Sequence, residues 1–407
     1  MEKRVKDFQK DGLGLFIHYG IYSNFEKGEW YWEMNRLSEE QYFNEKVKTI
    51  KLKANFKKIV KWAKTNGFKY IVLTAKHHDG FGLYDSKKLL KRDINWLAFE
   101  KRDIIDDFIL QCNNNGIKPF IYYATMDWLK DSNLNFDDHL DNIYQNVKLL
   151  SEKYKEKICG WWFDGNWSEP EKDWKTNDLY NLIRKNNQNA IIINNTGLEN
   201  KGEISNPNID SVTFEQGKIS EFKNNDMLKS KAFEVCYTLN GHWGAAEYDF
   251  DYKSPAKLIN DFLEIRKYNG NFLLNIGLNK NGEVGKIEKA IINEFGKWNK
   301  LNFNDLQKEF NVVKYSDDFL LTKNSNKKYK LYIQNLKSGA HIDNIHYGNE
   351  ENNIFEFNTK EKIIEITYAD NKKNVEWYQD LEKVQIKLSS FDYGTNTIVR
   401  ILNIKTK

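Results

Sequence analysis

A (β/α)8 barrel followed by a small C-terminal antiparallel β-sandwich domain is the fold class this sequence predicts, with the barrel at 1–300 and the β-domain at 305–407. Short apolar runs alternate with amphipathic stretches up to about residue 300. The runs number eight, the strand count of a closed parallel barrel. Beyond about residue 305 the pattern changes to short alternating strands with no Pro and no long helical stretch.

The apolar runs are Leu13–Tyr19, Tyr70–Ala75, Lys118–Tyr123, Ile158–Phe163, Ala190–Ile193, Ile209–Phe214, Phe233–Leu239 and Asn271–Ile276. Helical patterns lie between several of them. Ile59, Val60 and Ala63 share helical spacing before a stop at Gly67, and Ile105, Phe108 and Ile109 do so before Gly116. Ser254-Pro255 opens another helix, with Ser as N-cap and Pro in the first turn. The stretch leading to Ile209 is irregular, so helices there are expected to be short or missing. A doubly wound sheet is the alternative. It would more often carry a Gly-rich phosphate turn after the first strand, whereas Leu13–Gly20 ends in His18 and holds no such motif. Expected C-terminal strands include Phe319–Leu321, Tyr329–Ile333, Ile363–Ile366, Val384–Leu388 and Thr397–Ile404.

Charge is mixed, with 62 basic and 58 acidic residues and a net +4, which predicts neither a nucleic-acid nor a membrane partner. Lysine runs such as Lys57-Lys58 read as solvated helix faces. Cys112, Cys159 and Cys236 lie in or beside apolar runs without metal-ligand spacing, and read as buried free thiols of a reducing compartment. The N-terminus lacks the apolar core of a signal peptide and no run reaches membrane-spanning length. The expectation is a soluble, cytoplasmic protein. Of the 12 Trp, 11 precede residue 300, which places a stacking surface for a carbohydrate in the barrel.

The run Ile158–Phe163 ends at Asp164-Gly165, delivering a carboxylate to a strand tip, where barrel enzymes keep their catalytic groups. The same Asp could merely cap a turn. Other tips carry His18, then Lys76-His77-His78-Asp79, then Tyr122 and Tyr123, then Glu215. A metal hydrolase using His77, His78 and Asp164 is one reading. Adjacent strand residues point to opposite faces, so His77 and His78 are poorly spaced for one metal. Neutral His donating to sugar hydroxyls is the better use. Two carboxylates suit glycoside cleavage, one donating a proton and one attacking or activating water. Asp164 and Glu215, on the fourth and sixth runs, could face each other across a sugar.

At these segments the chain resembles the α-L-fucosidases of glycoside hydrolase family 29. The resemblance rests on Phe16–Ser23, Gly28-Glu29-Trp30-Tyr31, Leu73–Phe81 with its Lys-His-His-Asp-Gly-Phe core, Trp162-Phe163-Asp164-Gly165 and Gly270–Gly277. It covers residues 8 to about 300 in order. It implies an exo-acting, retaining hydrolase of fucosylated glycans that needs no cofactor and no metal. Asp164 would be the nucleophile. His18, Glu29, Trp30, His77, His78, Tyr123 and Trp243 would bind the sugar. The segment ending at Glu215 resembles the one that carries the family's acid/base. Glu234 is the main rival, but it begins its strand and so belongs at the barrel's bottom. Glu169 and Glu171 are further rivals in the loop after Asp164. Many relatives carry an Arg after the fifth strand, where this chain reads Asn194-Asn195; either an Asn replaces that contact or another loop supplies it. A catalytically silent carbohydrate-binding protein that kept the same cup is the rival reading from another class.

Overall fold

The computed structural model describes residues 1–99, 102–129, 135–222, 230–301, 305–326, 328–336, 354–392 and 394–407. Each of the eight apolar runs is a strand: β1 Leu13–His18, β2 Tyr70–Lys76, β3 Lys118–Ala124, β4 Gly160–Asp164, β5 Ile191–Asn194, β6 Ser211–Glu215, β7 Ala232–Thr238 and β8 Asn271–Gly277. They pair in parallel in chain order, and β1 pairs with both β2 and β8, which closes the barrel. Two-residue strands at Phe81–Gly82 and Arg92–Asp93 extend the edge beyond β2.

Several helices begin where the sequence supplies a cap. Asn55 accepts from Lys58 N at 3.1 Å ahead of helix Phe56–Thr65. Asp103 accepts from Asp106 N at 3.0 Å ahead of Ile104–Asn115, which Gly116 ends at φ +67°. No helix joins β5 to β6, and among the described residues the helix after β6 is Ile219–Phe222. The irregular run-up to Ile209 is therefore a true departure from the regular βα alternation.

Every second residue faces the barrel interior, as the strand period of two requires. Phe16, Tyr70, Val72, Phe120, Tyr122, Trp162, Ile191, Ile193, Ala232, Cys236 and Leu273 pack together there. Helix Lys3–Asp11 seals the bottom with Val5 and Phe8; the Phe8 ring lies 5.2 Å from that of Tyr70 and 5.7 Å from that of Phe120. Carried two residues upward, the same inward register delivers His18, Asp164, Asn195, Glu215 and Asn275 to the top.

The chain divides into two compact units, 1–253 with 270–291, and 254–269 with 292–407. Helix Pro255–Lys267, capped by Ser254 as expected, was assigned to the barrel by sequence but belongs to the second unit. Its last turn explains why: Arg266 Nε donates to Leu306 O at 2.8 Å and Lys267 Nζ to Ser316 O at 2.6 Å. The expected junction at 300–305 falls partly outside the described residues. In the second unit a five-stranded and a three-stranded antiparallel sheet share one core, with Leu331, Ile366 and Leu402 from the larger and Phe357, Val384 and Ile386 from the smaller. This is the expected sandwich.

Candidate active site

The site grows out of the turn that ends β4. Gly165 sits at φ +99°, where a Cβ would come within 2.7 Å of Met126 N, so this sharp exit needs Gly. Thr125 Oγ1 donates to Asp164 O at 2.8 Å and pins the same turn from β3. The Asp164 carboxylate then receives donors from four directions. Trp167 Nε1 lies 2.7 Å and Asn195 Nδ2 3.1 Å from Oδ1, while Tyr122 Oη lies 2.8 Å and His78 Nε2 3.4 Å from Oδ2. Burial opposes its ionisation, but His78, Trp167 and Tyr122 outweigh that and hold its pKa below the ordinary 3.8.

Glu215 ends β6, two strands along the same wall. The two carboxylates therefore stand on the same side of the barrel, with one strand between them. Asn195 of the intervening strand end bridges them, with Nδ2 2.7 Å from Glu215 Oε2. Burial first, and repulsion from Asp164 second, push Glu215 up to about 7, against the pull of the Asn195 hydrogen bond. One carboxyl is thus set to be ionised and its neighbour to carry a proton, the division of labour acid–base chemistry needs.

His18 is held by Asn275. Asn275 Nδ2 donates to Trp243 O at 2.7 Å, so its Oδ1 faces His18 Nδ1 at 2.6 Å and accepts from it. Burial drives the His18 pKa down to about 3, so the ring is neutral, with Nδ1 protonated and Nε2 left as an acceptor. The expected donor role is thereby reversed for this His. His77 is also kept neutral by burial and stacks on Tyr122 at 5.6 Å. The Nδ1 atoms of His77 and His78 are buried without a hydrogen-bond partner among the described residues.

Tyr123 is a correction. It follows Tyr122 on β3, so it points outward, and its ring lies 5.2 Å from Lys76 Nζ. Strand alternation puts Tyr122 in the cup instead. Glu29 also differs from a simple wall residue: its Oε2 accepts from Trp243 N at 3.1 Å and Gly244 N at 2.7 Å, holding the loop that carries Trp243. Trp30 stands at the rim, 5.0 Å from Trp128 and 5.6 Å from His78. The cleft itself is lined by Phe16, His18, Trp30, His77, His78, Tyr122, Trp162, Asp164, Trp167, Asn195, Glu215 and Trp243, and encloses about 50 Å³. A larger cavity of about 610 Å³ is lined by residues of helices Phe136–Tyr154 and Thr176–Asn186 and includes neither Asp164 nor Glu215.

The other candidate carboxyls lie away from the cleft. Glu234 too is raised to about 7 by burial, but it accepts from Tyr70 Oη at 2.9 Å and Trp162 Nε1 at 2.6 Å on the far side of the Trp162 ring. Glu169 pairs with Lys172, and neither it nor Glu171 lines the cleft. Among the described residues no group of three or more His, Cys, Asp or Glu is arranged to hold a metal ion. Sequence reasoning chose Tyr123 over its neighbour Tyr122, left Asn194 and Asn195 undivided as candidates for the missing Arg contact, and missed Trp167 and Asn275 as site residues. Counting by twos along β3, β5 and β8 finds all but Trp167, which lies on the turn after Asp164.

The sequence profile of the alpha-L-fucosidase family matches residues 2–304. The chain belongs to the alpha-L-fucosidase family. Alpha-L-fucosidase of Dictyostelium discoideum is 26% identical over 330 residues, which cover 71% of this chain and 68% of that protein. The solved structure of alpha-L-fucosidase isoenzyme 1 from Paenibacillus thiaminolyticus is 25% identical, with a TM-score of 0.79 over 100% of this chain and 99% of that one. A GH29 alpha-L-fucosidase from Bacteroides thetaiotaomicron, trapped as a covalent intermediate with 2-fluoro-fucosyl fluoride, shares the fold at 20% identity, with a TM-score of 0.80 covering 100% of this chain and 97% of that one.

Proposed function

We propose that this member of the family is an exo-acting, retaining α-L-fucosidase, cleaving terminal α-L-fucosyl linkages of glycans. The observation that carries the reading is the pair Asp164 and Glu215, joined through one amide and driven toward opposite protonation states. In the first step an Asp164 carboxylate oxygen attacks the anomeric carbon. The glycosidic bond breaks, and its oxygen leaves with the proton of Glu215. In the second step the Glu215 carboxylate takes a proton from water, whose oxygen displaces Asp164 and releases fucose with its original anomeric configuration.

The spacing supports this route. Asp164 Oδ1 and Glu215 Oε2 lie 3.1 and 2.7 Å from a single nitrogen, so those two oxygens can be no further apart than the two distances laid end to end. That bound is compatible with the roughly 5 to 5.5 Å separation of retaining enzymes. The covalent intermediate of the Bacteroides thetaiotaomicron enzyme supports it further. A reducing, cytoplasmic setting fits the three free cysteines, though Cys159 is only partly buried; a secreted, disulfide-linked form would contradict it.

Proton NMR of the first sugar released from an aryl α-L-fucoside tests the proposal. The α-anomer is expected. Initial β-fucose would overturn retention, and L-fucose binding without turnover would make the protein a silent carbohydrate binder.

A further inference from the structure

One side chain of the cup is neither nucleophile nor acid, yet it touches both. Asn195 N donates to Phe163 O at 2.8 Å, and Asn195 Oδ1 accepts from Gly197 N at 3.2 Å. These contacts fix the orientation of the amide, with Oδ1 toward the loop and Nδ2 toward the carboxylates. Nδ2 has two hydrogens, and the geometry gives one to Asp164 Oδ1 and the other to Glu215 Oε2, at 3.1 and 2.7 Å. The residue is 2% exposed, so bulk water does not share in these bonds.

We propose that Asn195 is a positioning residue for the reaction: it clamps the two carboxyl groups at short range and reserves Glu215 Oε2 as the unprotonated oxygen of the acid. An amide N–H donates and cannot accept, so an oxygen that receives it does not also present a proton toward it. The acid proton is then confined to Oε1, the oxygen left for the leaving group. After that proton departs with the alcohol, the same N–H stabilises the Glu215 carboxylate until water returns a proton to it. Asn195 gains and loses no atom in either step. Its neutrality matters as well. A third carboxylate here would hold Glu215 protonated when it must act as base.

The inference rests on the fucosidase reading above, and one experiment separates the two. Initial rates of the full chain on an aryl α-L-fucoside are measured from mildly acid to mildly alkaline pH for the wild type, Asn195→Ala, Asn195→Asp and Asn194→Ala. Asn195→Ala is expected to lower kcat by about ten- to a hundredfold, with a smaller change in KM, as for a lost hydrogen bond to a charged group. The alkaline limb of kcat/KM is expected to move up by about one pH unit, because a donor that favours the Glu215 carboxylate is gone. Asn195→Asp, nearly isosteric, is expected to move the limb at least as far, and it carries the test if the Ala variant does not fold. Asn194, whose Nδ2 donates to Asn166 Oδ1 at 3.3 Å and Ser205 Oγ at 3.1 Å, faces away, and Asn194→Ala is expected to leave the limb in place. An unmoved limb in both Asn195 variants, with kcat and KM changing together, would reduce Asn195 to a structural residue and overturn the proposal alone. Absence of turnover by the wild type would overturn the fucosidase reading and this inference with it.

Discussion

At the scale of single residues, the roles of Asp164 and Glu215 follow from what surrounds each carboxyl. Donors from His78, Trp167 and Tyr122 overcome burial at Asp164, while Glu215 meets burial and its neighbour's charge with one strong donor. The pH dependence has a definite sign. With Glu215 as the proposed acid, its pKa raised to about 7, kcat/KM is expected to fall as pH rises through that value. Asp164 as the proposed nucleophile must be ionised, and its pKa is held below 3.8, so the acid limb should lie well down the scale. A pH–rate profile on an aryl fucoside checks both limbs. Replacing Asp164 by Asn should reduce turnover by roughly 10²-fold or more with the fold intact. Added azide is expected to revive it and give the β-fucosyl azide. Glu215→Gln should suffer most on substrates with poor leaving groups, and azide should trap its intermediate as the α-azide. Product anomers, read by NMR, thus tell the two roles apart; near-normal cleavage of fucosylated disaccharides by Glu215→Gln would remove the acid role from it.

At the scale of the strand, the period of two decides who belongs to the site. Tyr122 and Tyr123 are both almost wholly buried, so burial does not distinguish them. Only Tyr122 shares the inward register of Phe120 and reaches Asp164. Tyr122→Phe is therefore expected to cut kcat/KM about ten- to a hundredfold and to move the acid limb upward, because a hydrogen bond to the charged form of Asp164 is lost. Tyr123→Phe should change neither by more than about twofold, within the small effect expected away from charged partners. Kinetics of the two variants side by side make the comparison; equal losses would mean the register is read wrongly. The rim is also an element-level feature. Trp30 and Trp167 line the same cleft as Asp164 and Glu215, so a sugar bound there would lie against their indoles. L-Fucose should change the intrinsic tryptophan fluorescence.

At the scale of the whole barrel, the Trp162 ring separates a chemical top from a structural bottom. Glu234 lies below it, wholly buried, with a pKa raised to about 7 chiefly by desolvation. A carboxyl whose folded pKa lies above its unfolded value holds its proton longer in the native state. Stability is then full below the unfolded pKa of about 4.5 and declines as pH rises toward about 7. Glu234→Gln removes that decline while keeping an acceptor for Trp162. It is expected to leave turnover near normal and to raise Tm at mildly alkaline pH, by an amount worth at most a few kcal/mol, with little change near pH 4.5. Thermal melts at the two pH values measure it, and a variant melting no higher than wild type in alkali would show that Glu234 is not held protonated by the fold.

Much of this was legible in residue order. Strand positions, several caps, the C-terminal sandwich and the carboxylate pair all follow from local pattern, because apolar period, turn chemistry and strand-end polarity are properties of neighbours in sequence. The inward register of β3 was equally present in the sequence, yet it requires knowing which face closes on the barrel, and so Tyr123 stood where Tyr122 belongs. Only the tertiary structure brought Asn195 between Asp164 and Glu215, set the amide of Asn275 against His18, and moved helix Pro255–Lys267 into the second unit. Those outcomes depend on contacts between residues tens to hundreds of positions apart. Pairing distances, desolvation and charge repulsion exist only once the chain has closed on itself.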